Sequence, residues 1–356
     1  MESLVYLIGV SMRFNRICVL GGSGFVGSAI IQMLVAQGRE VRVLTRNRDR
    51  AKALTVLPTV EVMDADIHDQ VELNRQFEGM DAEINLVGVL HETRPGRVDK
   101  PSARRGDFHE NHVELPRKVL HACAANGVQR VLHMSALGAD PTSCSAYQRS
   151  KGVGEALVRE SSMPGSDNER WYLDGPKFVH GYGMHTTIFR PSVVFGRGDS
   201  FLSMFASLVK VLSVLPLANA GAKFQPVWVE DVARAFVDAL DNTASFGMTY
   251  DLCGPQVYTL QELVELTAQA IGKQPRIIPL CKNFSYMQAW VMEFMPGKKL
   301  MTRDNFYAML VDNVCSGEYP APKDWAPTPL AAIVPDYLSG VNPRGRYTAF
   351  RHHAGR

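Results

Sequence analysis

Residues Arg16 to Gly27 read R-I-C-V-L-G-G-S-G-F-V-G, and the fold of the chain is decided there. An apolar run, Ile17 to Leu20, enters a turn carrying Gly21, Gly24 and Gly27. Val26, Ile30, Met33 and Leu34 then recur at helical spacing, and a second apolar run, Val41 to Leu44, follows Gly38. Glycines at such a turn let the backbone bend tightly and approach a pyrophosphate. The helix that follows aims its N–H groups and positive dipole end at the anion. A glycine triplet alone is a weak sign, because glycine-rich turns join many strands to helices. Here the strand, the helix and the length of a βαβ unit are all in place, so the stretch predicts a dinucleotide turn.

Working outward, strands and helices alternate. Val60 to Met63 reads as a third strand ending in D-A-D-I, Glu83–Leu90 as a fourth and Gln129–Ala136 as a fifth. Thr186–Phe195 and Met248–Leu252 read as further strands. Helices are expected over Phe108–Ala125 (bent or restarted at Pro116), over Ala146–Ser161, and over Leu260–Ile271 opened by Thr259. Val227–Asp241 reads as a short strand running into a helix, and Leu202–Leu217 as a partly buried helix. The alternation predicts an α/β Rossmann fold, a doubly wound parallel sheet with a smaller C-terminal lobe. The dinucleotide-binding domain is expected over residues 12–200 and the lobe over 201–356, with 227–252 returning to the sheet.

The bulk numbers exclude some classes. A net charge of +2 over 356 residues implies neither nucleic acid nor strong membrane electrostatics. Six scattered cysteines without C-x-x-C argue against a zinc site or a disulfide framework, and for a reducing, cytoplasmic setting. The apolar stretch Leu4 to Val10 is too short to span a bilayer and lacks a basic flank. Residues 1–11 are therefore expected to be a misassigned start or an extension. No metal site and no transmembrane span are expected.

The second informative stretch is S-A-L-G-A-D-P-T-S-C-S-A-Y-Q-R-S-K, from Ser135 to Lys151. Tyr147 and Lys151 lie one helical turn apart and share a face. Hydride transfer to a carbonyl needs a proton donor beside the developing alkoxide. A free tyrosine, with a pKa of about 10, is a poor base at neutral pH, and a neighbouring ammonium lowers that value. Ser135, at the end of the fifth strand, could hold the substrate oxygen, and Lys151 could reach the ribose hydroxyls. An isolated Y-x-x-x-K is usually structural; its place after the fifth strand, with a serine upstream, gives it catalytic meaning.

With these pieces in view, the chain resembles the short-chain dehydrogenase/reductase superfamily in its extended and atypical branches, including the NAD-dependent epimerase/dehydratase family. G-G-S-G-F-V-G, D-A-D-I, N-L-V-G, Ser135, Tyr147/Lys151, R-P-S-V-V-F-G and V-W-V-E-D-V-A-R-A carry the resemblance. More narrowly, H-M-S-A-L-G-A-D, Y-Q-R-S-K, Q-P-V-W-V-E-D-V-A-R-A-F and T-R-D-N are similar to the group that contains the nucleotide-binding accessory subunit of respiratory complex I and its bacterial relatives. The resemblance implies that Gly21, Gly24 and Gly27 line the pyrophosphate, with backbone contacts from Ser23, Phe25 and Val26. It implies Asp66 and Ile67 beside the adenine, Val87 and Gly88 under its ribose, and Pro191 and Ser192 near the nicotinamide. Asn111 falls where extended members carry a helix asparagine. Asp231 is expected to tie up backbone near the lobe junction.

Cofactor choice follows from charge. A carboxylate at the end of the second strand would favour NAD by accepting from the ribose 2′-OH. This chain has Thr45 then Arg46, with Arg48 close behind. A guanidinium there can pair with a 2′-phosphate, so NADP(H) is expected over NAD(H). Residues 162–184 form an insert relative to the resembled families. It lies on a helix-to-strand connection, at the edge opposite the ligand side, and offers either local packing or a protein-partner surface. Phe201, Met204, Phe205, Met287, Trp290, Met292, Phe294 and Met295 read as lobe core or as an apolar pocket. Two functions remain open: a dinucleotide-binding structural or sensing component, and a working oxidoreductase on a hydrophobic carbonyl or quinone-related substrate. A regulator docking on another protein is a third class.

Overall fold

The computed structural model describes residues 13–92, 106–163, 183–295 and 299–338. The expected N-terminal extension, the basic stretch 93–105 and the body of the 162–184 insert lie outside them. Seven parallel strands form one sheet: β1 Arg16–Leu20, β2 Glu40–Thr45, β3 Val60–Asp64, β4 Ala82–Asn85, β5 Arg130–Met134, β6 His185–Pro191 and β7 Met248–Leu252. Their spatial order is β7-β6-β5-β4-β1-β2-β3, so the order reverses between β1 and β4. In an open α/β sheet that reversal opens a crevice at the carboxyl ends of the strands.

Helices cover both faces, which explains why the inner strands read as continuous apolar runs. On one face α1 (Phe25–Ala36) packs beside a later helix, Val229–Leu240, through Ile30, Leu34, Val232 and Phe236. On the other lie α2 (Gln70–Phe77), α3 (Leu115–Asn126) and α4 (Ala146–Ser161), packed through Leu73, Phe77, Val119, Leu120, Leu157 and Val158. In chain order α5 is Phe201–Val211 and α6 is Val229–Leu240. Arg130, fully buried at the start of β5, donates to Leu240 O at 3.0 Å and to Ala239 O at 2.6 Å. A cation there satisfies orphan carbonyls at the carboxyl end of α6 and suits its dipole.

The lobe adds α7 (Leu260–Ala270), α8 (Lys282–Glu293), α9 (Arg303–Ala308) and α10 (Leu330–Leu338). Its core joins Phe205 and Leu202 of α5 with Leu263 of α7 and Val334 of α10. Thr259 opens α7 with a capping box to Glu262. The expected helix over 202–217 is shorter: α5 ends at Val211, and Val214–Leu217 pairs as a strand with Arg276–Pro279. Pro216 accounts for this, since it has no N–H to continue a helix. Phe205 is core, and Phe201 and Met204 pack against that core. Met287, Trp290, Phe294 and Met295 are not core, because all four are exposed.

Two further boundaries depart from the sequence pattern. The fourth strand stops at Asn85, whose side-chain oxygen accepts from Val87 N at 3.0 Å and turns the chain. The strand expected over 186–195 breaks after Pro191, and Val194–Phe195 instead pairs with Val227–Trp228. The cysteine reading is also corrected: Cys253 and Cys315, 62 residues apart, form a disulfide. Such a pair meets only through tertiary folding, so spacing gives no sign of it. Among the described residues no helix is long and apolar enough to cross a membrane, and no group of histidine, cysteine and carboxylate residues could hold a metal. The ends of the insert meet, with Met184 N donating to Ser161 O at 3.2 Å, at the amino edge of the sheet.

Candidate dinucleotide and active site

The glycine turn sits at the carboxyl end of β1. Gly21 has φ +77°, a left-handed conformation that a side chain would strain. Gly24 N donates to Gly21 O at 3.0 Å, and α1 starts at Phe25 with no side-chain cap. The first amides of α1 therefore have no side-chain acceptor and suit a phosphate. A methyl on Gly27 would stand 2.6 Å from both Gly21 O and Gly22 Cα, so helix and turn meet backbone to backbone. Gly22 does comparable work: a methyl there would reach Ile31 Cδ1 at 2.7 Å and Val43 Cγ1 at 2.9 Å. Its signal was its place one residue into the turn. Ser23 is half-buried and Gly24 exposed, whereas Val26 is core. The Phe25 ring lies beside Gly196 and Gly198, which brings the loop after Phe195 over the turn.

Arg46 and Arg48 follow β2 and both are exposed. Asp66, beyond β3, is exposed and its carboxylate accepts from His68 N at 2.9 Å. Ile67 is buried in the core, so only its backbone can approach a ligand. Burial lowers the His68 pKa, and the nearby Arg46 charge contributes to that fall. The edge beyond β2 and β3 is thus open, with guanidinium groups on it. These features fit an adenosine dinucleotide: an uncapped helix start, a glycine-rich turn whose backbone is open to a phosphate, and exposed cations at the edge beyond the second strand.

The second half of the site lies at the ends of β4, β5 and β6. Lys151 Nζ donates to Met134 O at 3.0 Å, and a methyl on Gly88 would stand 3.2 Å from that nitrogen. Val87 packs against the core while Gly88 is exposed. Tyr147 packs edge-on to His112, centroids 5.5 Å apart, and to Phe108 at 5.9 Å. His112 Nε2 accepts from Val89 N at 3.0 Å, and its Nδ1 lies 2.8 Å from Ser150 Oγ. Pro191, buried, ends β6. Ser192 Oγ donates to Asn313 Oδ1 at 2.6 Å, which draws a lobe segment onto the site.

His112 and Glu155 also belong to the site, although neither lies in a motif that singles it out. The helix before α3 contains a π turn, Glu110–Glu114. Pro116 cannot donate to His112 O, so the preceding turn widens. Gly154 of α4 then closes on that carbonyl, where any side chain would overlap it. The widened turn presents His112 to the site, whereas Asn111 Nδ2 donates locally to Asp107 O at 2.7 Å. Glu155 continues the Tyr147–Lys151 column by one more turn. It accepts from Ser135 Oγ at 2.7 Å and Arg159 at 2.6 Å. The Ser135 hydroxyl, expected to face a substrate oxygen, is directed at Glu155, and Ser135 is fully buried. Asp231 accepts from Thr328 N at 2.6 Å, in a purely structural contact.

Electrostatics at the column run in one direction. Burial, and then the Asp304 carboxylate, push the Tyr147 phenol up to about 12. Burial brings the Lys151 ammonium down to about 8, with Glu155 opposing. His112 falls to about 2 and His133 to about 3, first through burial and then through the Lys151 charge. Asp304 reaches the site from α9. Its carboxylate accepts from Ala146 N at 2.6 Å, Tyr147 N at 3.1 Å and Ser145 Oγ at 3.0 Å, closing the amino end of α4. The T-R-D-N stretch therefore holds the helix that bears Tyr147. The phenol is thus raised, not lowered as the neighbouring ammonium was expected to do, because burial and Asp304 outweigh it.

Residues 17–253 match the model of the NAD dependent epimerase/dehydratase family. Over 312 residues the chain is 30% identical to the mitochondrial NADH dehydrogenase (ubiquinone) 1 alpha subcomplex subunit 9 of Arabidopsis thaliana, covering 84% of this chain and 70% of that one. It is 27% identical over 344 residues to the mitochondrial NADH-ubiquinone oxidoreductase 40 kDa subunit of Neurospora crassa, covering 95% and 82%. Its fold matches DesIV, a dTDP-glucose 4,6-dehydratase of Streptomyces venezuelae solved with NAD bound. The TM-score is 0.64 at 20% identity, over 93% of this chain and 98% of that one. The chain belongs to the NAD dependent epimerase/dehydratase family.

Proposed function

We propose that this protein binds NADP(H) at the glycine turn and retains it as a structural or sensing component, in the manner of a complex I accessory subunit. The observation that carries this reading is the Ser135–Glu155 contact: the hydroxyl expected to hold a substrate oxygen is buried and donates to a carboxylate at 2.7 Å. Burial and the Asp304 carboxylate also push the Tyr147 phenol up, away from the range that serves rapid proton transfer. Similarity to complex I subunits over most of the chain supports a protein partner and a position peripheral to a membrane complex. A cytoplasmic setting rests on the sequence reading alone.

Gly21, Ser23, Gly24, Phe25, Val26 and Gly27 would hold the pyrophosphate. Arg46 would meet the 2′-phosphate, with Asp66 and the Ile67 backbone beside the adenine. Val87 and Gly88 would pass under the adenine ribose, and Tyr147, Lys151 and Pro191 would frame the nicotinamide ribonucleoside. Bound there, the dinucleotide would supply a hydride. Tyr147 would hold its proton at the phenolic oxygen, and Lys151 would offer its ammonium to ribose hydroxyls. The test is the ligand that co-purifies, read by mass spectrometry. Retained NADP(H), with no oxidation of NADPH by a panel of apolar carbonyls and quinones, supports the reading.

A second reading is favoured by one observation: Tyr147 and Lys151 stand on one face of α4 at the ligand edge of the sheet. An NADPH-dependent oxidoreductase acting on a hydrophobic carbonyl or quinone-related substrate would use that pair, with Ser135 released from Glu155 to hold the substrate oxygen. NADPH oxidation abolished in Tyr147→Phe, with binding retained, would establish this reading in place of the first.

A further inference from the structure

Helix α8 is built inside out. Its buried residues are Ser285 and Ala289, one turn apart, and Ser285 Oγ accepts from Asn219 N at 3.2 Å. The outward side exposes Phe284, Met287, Trp290, Val291, Phe294 and Met295, with Phe284 57% and Phe294 70% exposed. Positions 284, 287, 291 and 294 recur at helical spacing, so these side chains form one continuous stripe. Isolated exposed apolar residues need no explanation; four along one helix (Phe284, Met287, Trp290 and Val291), continued by Phe294 and Met295 just past its end, mark an interaction face.

Charge selects what the stripe meets. From Lys273 to Arg303 the sequence carries six basic residues and one acidic residue, Glu293. Glu293 is paired with Arg303 at 2.7 Å. Lys273, Arg276 and Lys282 are exposed. The net charge of the whole chain conceals this local excess. Lys273 and Arg276 precede the helix and Lys282 opens it, so a second copy docking here would bring exposed cations together, which like-charge repulsion opposes. A surface that accepts aromatic and methionine side chains while presenting negative charge at its rim satisfies both features, and an anionic bilayer is such a surface. We propose that α8 lies on an anionic lipid surface, its apolar stripe in the headgroup boundary, with Lys282 at its start and Lys273 and Arg276 of the preceding segment on lipid phosphates. The contact is peripheral, and it is independent of whether the dinucleotide turns over.

Flotation of the full chain with defined vesicles tests this. One set is phosphatidylcholine; the other contains about one-third phosphatidylglycerol. The protein is expected to float with the anionic set at least about ten-fold more than with the neutral set, and to lose binding as salt rises. Changing Met287, Val291 and Phe294 together to serine should reduce flotation about ten-fold with the melting transition unchanged, because these positions are exposed. Arg276→Glu with Lys282→Glu should abolish the preference for anionic vesicles. The proposal is overturned if folded wild-type protein ignores anionic vesicles, or binds both sets equally. It is also overturned if the triple-serine variant floats as well as wild type. A wild-type dimer that the triple-serine change dissolves, without vesicle capture, would assign the face to a second copy and equally overturn it.

Discussion

Replacing Asp304 with alanine removes one acceptor from three donors at the amino end of α4: Ala146 N at 2.6 Å, Ser145 Oγ at 3.0 Å and Tyr147 N at 3.1 Å. Hydrogen bonds to a charged group contribute about 1.5–3 kcal/mol each, and a carboxylate at a helix start adds about 0.3–1 kcal/mol through the dipole. The three bonds share one carboxylate, so their contributions do not add. The amides can also turn to water, and Ser145 Oγ still accepts from Gln148 N at 3.3 Å as a local cap. The expected loss is therefore about 2–3 kcal/mol in Asp304→Ala. In Asp304→Asn, which keeps an acceptor oxygen without the charge, it is about 1 kcal/mol. Urea denaturation of the three proteins reads both values. A second readout is specific to the site. Asp304 raises the Tyr147 pKa, so both variants should lower the phenol titration that Tyr147→Phe identifies by difference. A loss below about 0.5 kcal/mol in Asp304→Ala would refute the reasoning, since that is the range of an inconsequential surface change.

Gly27→Ala places a methyl 2.6 Å from the Gly21 and Gly22 backbone. It should cost about 1–3 kcal/mol in urea denaturation and weaken dinucleotide binding in calorimetry, and unchanged values in both would count against the tight turn. His133 is held neutral to about pH 3, against 6.5 for an ordinary histidine, by burial first and the Lys151 charge second. Its contribution to stability is complete above pH 6.5 and falls as pH drops towards 3, because only the unfolded chain takes up the proton. Melting temperatures of His133→Phe should therefore decline less steeply than wild type between those limits. The Cys253–Cys315 bridge spans 62 residues, so reduction should remove roughly 4 kcal/mol of loop-closure entropy. Cys315→Ser should melt like the reduced wild type and ignore a dithiol.

What was legible in the sequence was local. The turn from Gly21 to Gly27 shows itself because strand, glycines and helix are consecutive, and the Tyr147–Lys151 pair because helical spacing puts it on one face. Pro116 pointed to a break, and the π turn beside it is that break. What escaped depends on residues distant in sequence. Ser135 meets Glu155 through the packing of β5 on α4. Asp304 reaches α4 from the lobe, and Cys315 reaches Cys253 across 62 residues. The stripe on α8 misled for another reason. Aromatic and methionine residues at helical spacing look the same whether they face a core or solvent, and only the inward Ser285 and Ala289 separate the two cases.

On the function proposed here, the glycine turn holds a dinucleotide and Arg46 chooses the phosphorylated one. Calorimetric titration of the ligand-free protein with NADPH and with NADH tests it most directly. A charge-assisted pair to the 2′-phosphate contributes about 1.5–3 kcal/mol, so NADPH should bind about 10- to 150-fold tighter, and Arg46→Ala should bring the two together. Equal or tighter binding of NADH by the wild-type protein would contradict the claim.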